Sequence, residues 1–265
     1  MAAVLYGGAA PRVPVLHEVR IRGGPGLRIA QLSDLHLRAD PALNAAIASR
    51  AVAAHADLVA LTGDVIDDAH RLEALGAFLD AIDAAGNTAP IYAVTGNWEY
   101  WSGTSLDALA RVYAAHRVEW LRDRRVRAGI GGRVVDVVGL DDGGSPRTAQ
   151  PPDLLAPDAA VPLLVLAHYP QSLDAIAAAL LAGPTRPLVL AGHTHGGQVA
   201  VFGWAPVVPA GSTVAGRRVV EGPVHLPTLD GYVSRGIGTS IIDLRWGVAP
   251  EITVVAWGDE HPAPR

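Results

Sequence analysis

Five apolar runs recur along the chain, and each of them ends in a cluster of polar side chains. Continuous apolar runs of this length are typical of the buried strands of α/β proteins. Because ligands of open α/β sheets bind beyond the carboxyl ends of the strands, one site could collect all five polar clusters. The predicted strands cover residues 27–32, 57–62, 91–95, 163–167 and 188–191.

The segments between these runs are rich in alanine and leucine, which favours helices that connect the strands or cover a sheet. Glycine and proline are concentrated over residues 143–157 and 206–227, which predict loops, and the second loop could cover the site. Four arginines around Asp123 predict a solvated turn over residues 122–127. The predicted helices cover residues 41–54, 71–85, 105–116 and 171–181.

Composition narrows the classes of function. The chain has 265 residues, of which 50% are hydrophobic and 18% charged, so we expect a single domain over residues 1–265 with a large core. The net charge of −5 argues against nucleic-acid binding. Because the chain contains no cysteine, disulfides, thiolate-bound metals and a thiol nucleophile are excluded. Any metal must be bound mainly by His, Asp, Asn or Glu.

The sequence lacks an obvious membrane or secretion signal. No apolar run reaches the roughly 18 residues that a membrane span requires. Residues 1–10 are apolar but have neither the basic region nor the full hydrophobic region of a signal peptide. We expect a soluble chain, cytoplasmic or membrane-associated, in which residues 1–26 form an N-terminal extension that could be the remnant of an anchor.

Two pairs of ligand-type side chains share a spacing of two residues. Asp34 and His36 follow the first predicted strand, whereas His193 and His195 follow the last one, between glycines that permit tight turns. Residues two apart share a face of an extended chain, so both members of a pair can turn towards one ion. Two adjacent imidazoles are better explained by a metal than by packing. Together with the other three strand ends, these pairs favour a metal centre.

Five polar blocks follow one another along the chain: Asp34-Leu35-His36, Gly63-Asp64-Val65-Ile66-Asp67, Gly96-Asn97, His168 and Gly192-His193-Thr194-His195. Their order resembles that of the calcineurin-like metallophosphoesterases. A later block, residues 232–240, is similar to one in a bacterial branch whose members often carry N-terminal membrane helices. The resemblance implies an α/β fold in which a two-sheet β-sandwich is flanked by α-helices, and it implies a phosphoester substrate.

The resemblance also implies a dinuclear metal centre. Oxygen and imidazole donors without thiolate suit Mn, Fe or Zn. Two such ions about 3.5 to 4 Å apart would activate a metal-bridging hydroxide for direct attack on a phosphomonoester or a phosphodiester. The bacterial branch further implies peripheral membrane association. By the resemblance, Asp34, His36 and His195 would bind one ion, Asn97, His168 and His193 the other, and Asp64 would bridge both.

One position departs from the family pattern. Where the family has a histidine after the asparagine, this sequence has Trp98, whose indole cannot act as a titrating acid near neutral pH. General acid catalysis contributes about 10²- to 10⁴-fold, so we expect weak hydrolysis of esters with poor leaving groups. Glu99 is the nearest substitute acid, or residues 98–101 could form an aromatic wall. The predicted catalytic residues are Asn97, Trp98 and Glu99, and the alternative function is a metal-bearing binding or regulatory protein with lost or weak catalysis.

Overall fold

The computed structural model describes residues 10–156, 158, 160–180 and 186–259, over which strands and helices alternate along the chain. The strands are β1 (Val15–Ile21), β2 (Pro25–Leu32), β3 (Leu58–Thr62), β4 (Ile91–Val94), β5 (Val118–Trp120), β6 (Arg124–Ile130), β7 (Arg133–Gly139), β8 (Leu163–Leu166), β9 (Leu188–Ala191), β10 (Thr213–Val214), β11 (Arg217–Arg218), β12 (Gly222–His225), β13 (Asp230–Val233) and β14 (Glu251–Gly258). The α-helices are α1 (Pro41–Val52), α2 (Leu72–Ala84), α3 (Trp98–Trp101), α4 (Leu106–Ala115), α5 (Pro152–Leu155) and α6 (Ser172–Ala179).

The strands form two six-stranded sheets. The first has the order β1-β14-β2-β3-β4-β5, and the second has the order β12-β13-β9-β8-β7-β6. Strands β2 to β5 pair in parallel, as do β7, β8, β9 and β13. The carboxyl ends of the central strands of each sheet therefore lie at one edge.

Successive side chains of each central strand point to opposite faces of its sheet, so the apolar residues of one strand pack into two different cores. In β2, Ile29 packs into the core between the sheets, while Ala30 and Leu32 pack against the layer of α1, α2 and α4. In β8, Leu164 faces the core between the sheets and Val165 faces α6. The predicted two-sheet α/β sandwich flanked by helices is thus confirmed.

Two of the predicted helices begin directly after a residue whose side chain accepts a hydrogen bond from a backbone N–H of the first turn. Helix α1 begins at Pro41, a residue suited to the first turn, and the Asp40 carboxylate accepts a hydrogen bond from the Leu43 N–H. The Ser105 hydroxyl accepts from the Ala108 N–H at the start of α4. No helix in the described part of the chain is long and apolar enough to cross a membrane.

Several segments differ from the sequence-based expectation. The predicted loops 143–157 and 206–227 contain α5 and the short strands β10, β11 and β12, of which β12 joins the second sheet. Residues 15–21, predicted to lie in an N-terminal extension, form β1, which pairs in parallel with β14 and buries Val19 and Ile21. Residues 1–9 of that predicted extension lie outside the described residues. The solvated turn predicted over residues 122–127 is wrong from residue 124 onwards, because β6 pairs with β7 there and the buried Asp136 binds both Arg125 and Arg127.

Candidate metal centre

The seven predicted metal ligands meet where strands of both sheets end. Each follows the carboxyl end of a parallel strand, and each is at most 6% exposed. Three strands of the first sheet and two of the second contribute, so the site lies between the sheets. The contributions are Asp34 and His36 after β2, Asp64 after β3, Asn97 after β4, His168 after β8, and His193 and His195 after β9.

Asp34, His36 and His195 form a first group of ligand-type atoms that lie within 4.8 Å of one another. His195 Nε2 lies 3.2 Å from His36 Nε2 and 3.4 Å from Asp34 Oδ1. Two imidazole nitrogens and a carboxylate converge here, which is a donor set that suits a divalent cation.

Asp64, His168 and His193 form a second group with the same 4.8 Å limit. His168 Nε2 lies 3.2 Å from His193 Nδ1 and 3.1 Å from Asn97 Oδ1. The other nitrogen of each ring lies against a carbonyl, at 2.9 Å for His168 Nδ1 and 2.7 Å for His193 Nε2. Since carbonyls only accept, each contact places an N–H on the outer nitrogen, so that the nitrogen facing the group can donate a lone pair to a cation.

The Asp64 carboxylate lies between the two groups. Its Oδ2 atom is 3.3 Å from His168 Nε2 and 3.8 Å from His36 Nε2. Its Oδ1 atom accepts a hydrogen bond of 2.8 Å from the Trp98 backbone N–H. A single carboxylate oxygen therefore faces both donor groups.

The backbone at the site is strained. Five of these ligand-type residues have φ between 41° and 72°, a region that non-glycine residues seldom occupy and that costs about 1–3 kcal/mol each. Such strain persists only where the surrounding structure determines the conformation, and it concentrates at functional sites. The five residues are Asp34, His36, Asp64, His193 and His195.

Glycines allow the backbone to approach these side chains. A Cβ atom at Gly63 would lie 2.5 Å from His168 Nδ1, and one at Gly192 would overlap Ser33 Oγ and Asp34 Oδ2. Gly236, from the later sequence block, would place a Cβ 2.8 Å from that of Asp34. That block therefore contributes by close packing behind the first group.

Comparison with known proteins decides the family. The Calcineurin-like phosphoesterase family model matches residues 27–197, which is more than half of the chain and includes all seven ligand-type residues. The chain belongs to this family. It is 30% identical over 201 residues to the phosphodiesterase YaeI of Escherichia coli, an alignment that covers 75% of this chain and 69% of that relative. It is 27% identical over 199 residues to the uncharacterized metallophosphoesterase YkoQ of Bacillus subtilis, covering 74% of this chain and 71% of that relative.

The fold comparison agrees. A dimetal phosphatase from Danio rerio superimposes with a TM-score of 0.52 at 13% identity, covering 80% of this chain and 88% of that chain. This calcineurin-like phosphoesterase is a metal-dependent hydrolase of phosphoric esters, and its two ligand groups suit a dinuclear centre.

The electrostatics of the phosphoesterase site favour positive charge at its centre. Burial raises the pKa of Asp34 above its ordinary value, which marks that carboxylate as short of counter-charge. Burial opposes ionisation of Asp64 too, but the imidazoles of His168 and His36 hold its pKa well below the usual range. Burial and neighbouring positive charge lower the pKa of His193 to about 4, so this ring is neutral and can donate a lone pair. The residues present therefore fit bound divalent cations.

The metal-free phosphoesterase should lose stability in alkaline solution. Burial alone would lower the pKa of His168, but the Asp64 and Asp34 carboxylates raise it to about 10, against an ordinary value of 6.5. Because the folded-state pKa is the higher one, this proton stabilises the fold fully below pH 6.5, and the contribution disappears as the pH rises to about 10. Melting temperatures of metal-stripped protein should fall across that window, and His168→Asn should flatten the fall. A parallel decline in both proteins would contradict this assignment.

Glu99 lies behind the metal centre and binds the loops that hold it. It is 1% exposed, and its carboxylate accepts backbone N–H groups of Gly96 (2.7 Å), Val65 (2.6 Å) and Asp64 (3.1 Å). Burial and the nearby Asp64 carboxylate raise its pKa to about 7. These contacts support a positioning role, in which Glu99 connects the ends of β3 and β4. The carboxylate points into these loops and does not line the cleft.

Replacing Glu99 with glutamine should weaken metal binding. The amide retains only one oxygen acceptor and places N–H donors against backbone N–H groups, so the Asp64 and Gly96 loops lose their common anchor. Hydrogen bonds that hold the metal ligands in place from behind are worth about 10- to 100-fold in metal affinity. Metal titration by calorimetry measures the change, and Glu73→Gln, at the start of α2, is the matched control. Unchanged affinity in Glu99→Gln would show that the loops hold without it.

Trp98 contributes to the wall of the site. Its indole Nε1–H donates to Ser240 Oγ at 3.1 Å, and its ring meets the His36 ring edge-on at 6.0 Å between centroids. The ring also contacts Trp101. The indole N–H is thus held by Ser240, and the aromatic side of the residue lines the cleft above the metal centre.

Sequence reasoning missed a buried arginine. Arg245 lies with Nη2 at 3.1 Å from His195 Nδ1, and it donates to the Gly238 and Arg235 carbonyls. Burial, the His36 ring and the Arg245 charge together lower the pKa of His195 well below its ordinary value. Burial, His36 and Arg245 therefore act together to keep this imidazole unprotonated. No spacing motif includes it, so the sequence offered no signal.

Proposed function

We propose that this phosphoesterase hydrolyses phosphodiesters with two bound divalent ions, drawn from Mn, Fe and Zn. The proposed ligands are the members of the two groups of ligand-type atoms, together with Asn97, which contacts His168. Asp34, His36 and His195 would bind one ion, Asn97, His168 and His193 the second, and Asp64 would bridge them.

The two ions would supply two effects. When bound, they would polarise a phosphoryl oxygen and lower the pKa of a water molecule, so that water and not a side chain is the nucleophile. The O–P bond to water forms as the P–O bond to the leaving alcohol breaks, and the proton of the water ends on that alcohol. The side chains of the site must therefore orient the ester and determine which groups beside it can donate a proton.

Tyr169 is suited to orient the ester. It lines the cleft, and its ring packs 4.4 Å from the His193 ring between centroids. Its hydroxyl is buried and has no hydrogen-bond partner among the described residues. Burial and the surrounding carboxylates raise the pKa of this phenol, so it remains a hydrogen-bond donor. We assign it to a phosphoryl oxygen.

The cleft favours a diester over a monoester. Its described lining contains no arginine, and the chain contains no lysine. A monoester carries an additional negative charge, for which charge-assisted hydrogen bonds from cationic side chains are the usual protein partners. The 30% identical relative is named a phosphodiesterase, which agrees with this choice. The absence of cationic groups from the described cleft wall is the observation that carries the proposal.

Two chromogenic substrates test the proposal. In protein loaded with Mn, Fe or Zn, bis(p-nitrophenyl) phosphate should be hydrolysed with a kcat/KM at least about tenfold above that of p-nitrophenyl phosphate. The additional negative charge of the monoester, unscreened in the cleft, costs more than about 1.4 kcal/mol. Preference for the monoester would overturn the diester assignment. Bound metal without turnover of either compound would favour the alternative, a metal-bearing binding or regulatory protein.

A further inference from the structure

The metal centre opens into a cleft of about 600 Å³ with a mostly apolar wall. Asp64, His193 and His195 lie at its polar base. The wall comes from Trp98 and Trp101, from the segment 206–210, and from Ile241 and Ile242. A wall of this kind gives a sugar or a nucleobase few hydrogen-bond partners, but it matches a hydrocarbon group.

Two tight turns beside the cleft hold apolar side chains almost entirely in solvent. Phe202 is 98% exposed and Ile241 is 94% exposed. Val201 and Trp204 exchange backbone hydrogen bonds of 2.9 and 3.0 Å, which close a two-residue turn at Phe202 and Gly203. The Ile242 N–H donates to the Ser240 carbonyl at 2.7 Å and closes a turn around Ile241.

Both turn positions would be more stable with other residues. Phe202 has φ of 50° and Ile241 has φ of 65°, in the left-handed region that favours glycine, asparagine and aspartate. A bulky or β-branched side chain is strained there, and exposure to water gives it no packing in return. Single exposed apolar residues are common, but a strained and fully exposed pair beside an active site indicates contact with an apolar medium.

The two turns belong to one surface. Gln198 Nε2 donates to the Ser240 and Ile242 carbonyls, and Val199 pairs with Trp246. Further exposed apolar side chains surround the turns. We define the apolar rim as Trp101, Phe202, Trp204, Val207, Ile241 and Trp246, all of which are exposed.

Two arginines lie near the rim of this acidic protein. Segment 198–218 contains Arg217 and Arg218 and no acidic residue, whereas the whole chain has a net charge of −5. Both arginines are exposed, and neither forms an ion pair within the residues that the structure describes. Arg218 donates to the Ala205 carbonyl, which places this charge next to Trp204. Projecting apolar residues, tryptophans and nearby arginines are the combination that binds anionic lipid surfaces.

We propose that the apolar rim inserts into a lipid surface and that the cleft accepts the hydrocarbon part of a lipid phosphoester. The substrate part of this proposal rests on the proposed phosphodiester hydrolysis. Separate projecting turn tips suit a fluid surface better than a flat partner protein, because each tip can be buried independently.

Vesicle binding tests the rim without using activity. The full chain should co-sediment with vesicles of phosphatidylcholine and phosphatidylglycerol in equal parts. Phe202→Asn and Ile241→Asn should each weaken binding by about tenfold, as expected for one large apolar side chain. Because asparagine tolerates the left-handed region, both variants should melt at or above the wild-type temperature. Val134→Thr is the control: Val134 is also exposed but lies at the start of β7, the end of the sheet opposite the metal centre.

Either of two results would overturn the rim assignment. The first is wild-type protein that does not bind these vesicles. The second is a dimer, seen by sedimentation velocity, that Phe202→Asn dissociates, since the rim would then be covered by a second copy of the chain.

A pair of esters tests the substrate class. Hexadecyl p-nitrophenyl phosphate in mixed micelles should be hydrolysed with a kcat/KM at least about tenfold above that of methyl p-nitrophenyl phosphate, and Phe202→Asn should reduce this ratio. Equal rates on the two esters would overturn the lipid substrate and leave the proposed phosphodiesterase intact. Vesicle binding without hydrolysis of either ester would overturn the proposed function, and the lipid-binding rim would stand.

Discussion

Asp64→Asn should abolish most of the activity and reduce the metal content below two ions per chain. Asp64 Oδ2 faces His168 Nε2 and His36 Nε2, so a single substitution removes charge from both donor groups. Stabilisation of charge by metals is worth several kcal/mol, and about 4 kcal/mol corresponds to roughly 10³-fold in kcat/KM. Turnover of bis(p-nitrophenyl) phosphate and metal analysis of the purified protein measure the two effects.

A second buried aspartate provides the control for Asp64. Asp136 is 1% exposed, pairs with Arg125 and Arg127, and lies in the middle of β7 beside Leu163, the residue at the start of β8 farthest from His168. Asp136→Asn should lower the melting temperature, because it leaves the charges of Arg125 and Arg127 without their buried partner, and it should retain both ions. If Asp64→Asn kept two ions and near-native turnover, the bridging assignment would be wrong.

The strand ends could be predicted because their signal is local. Each central strand is buried on both faces, so it appears in the sequence as an apolar run, and the ligand-type residues follow the run directly. The observed β2, β3, β4, β8 and β9 lie within about two residues of the predicted bounds. The assignment of these strands to two sheets came from the resemblance, since periodicity does not show which strand pairs with which.

The features that sequence reasoning missed depend on tertiary partners. Residues 124–127 form part of a strand because the Asp136 carboxylate on β7 neutralises two of their arginines, and this partner is invisible in a local basic pattern. Glu99 follows Asn97 closely in sequence, yet its role is set by backbone N–H groups at the end of β3. Arg245 is about fifty residues from His195 and contacts it only through the fold.

Trp98→His should increase hydrolysis of a dialkyl phosphodiester by roughly 10²-fold, the lower end of the range for general acid catalysis. An alkoxide leaving group requires a proton, which the indole of Trp98 cannot supply and an imidazole with a pKa near 6.5 can. A nitrophenolate leaves without a proton, so the rate on bis(p-nitrophenyl) phosphate should change little. The pH profile of the alkyl reaction should also gain a descending limb above the imidazole pKa.

Trp98→Phe separates the acid from the loss of the indole. This variant also removes the hydrogen bond to Ser240 and much of the contact with His36, but it adds no titrating group. Its alkyl-to-aryl rate ratio should therefore equal that of the wild-type protein. If Trp98→His gave the same ratio as Trp98→Phe, the missing proton would not limit this enzyme, and the role of Trp98 would be to form the aromatic wall of the cleft.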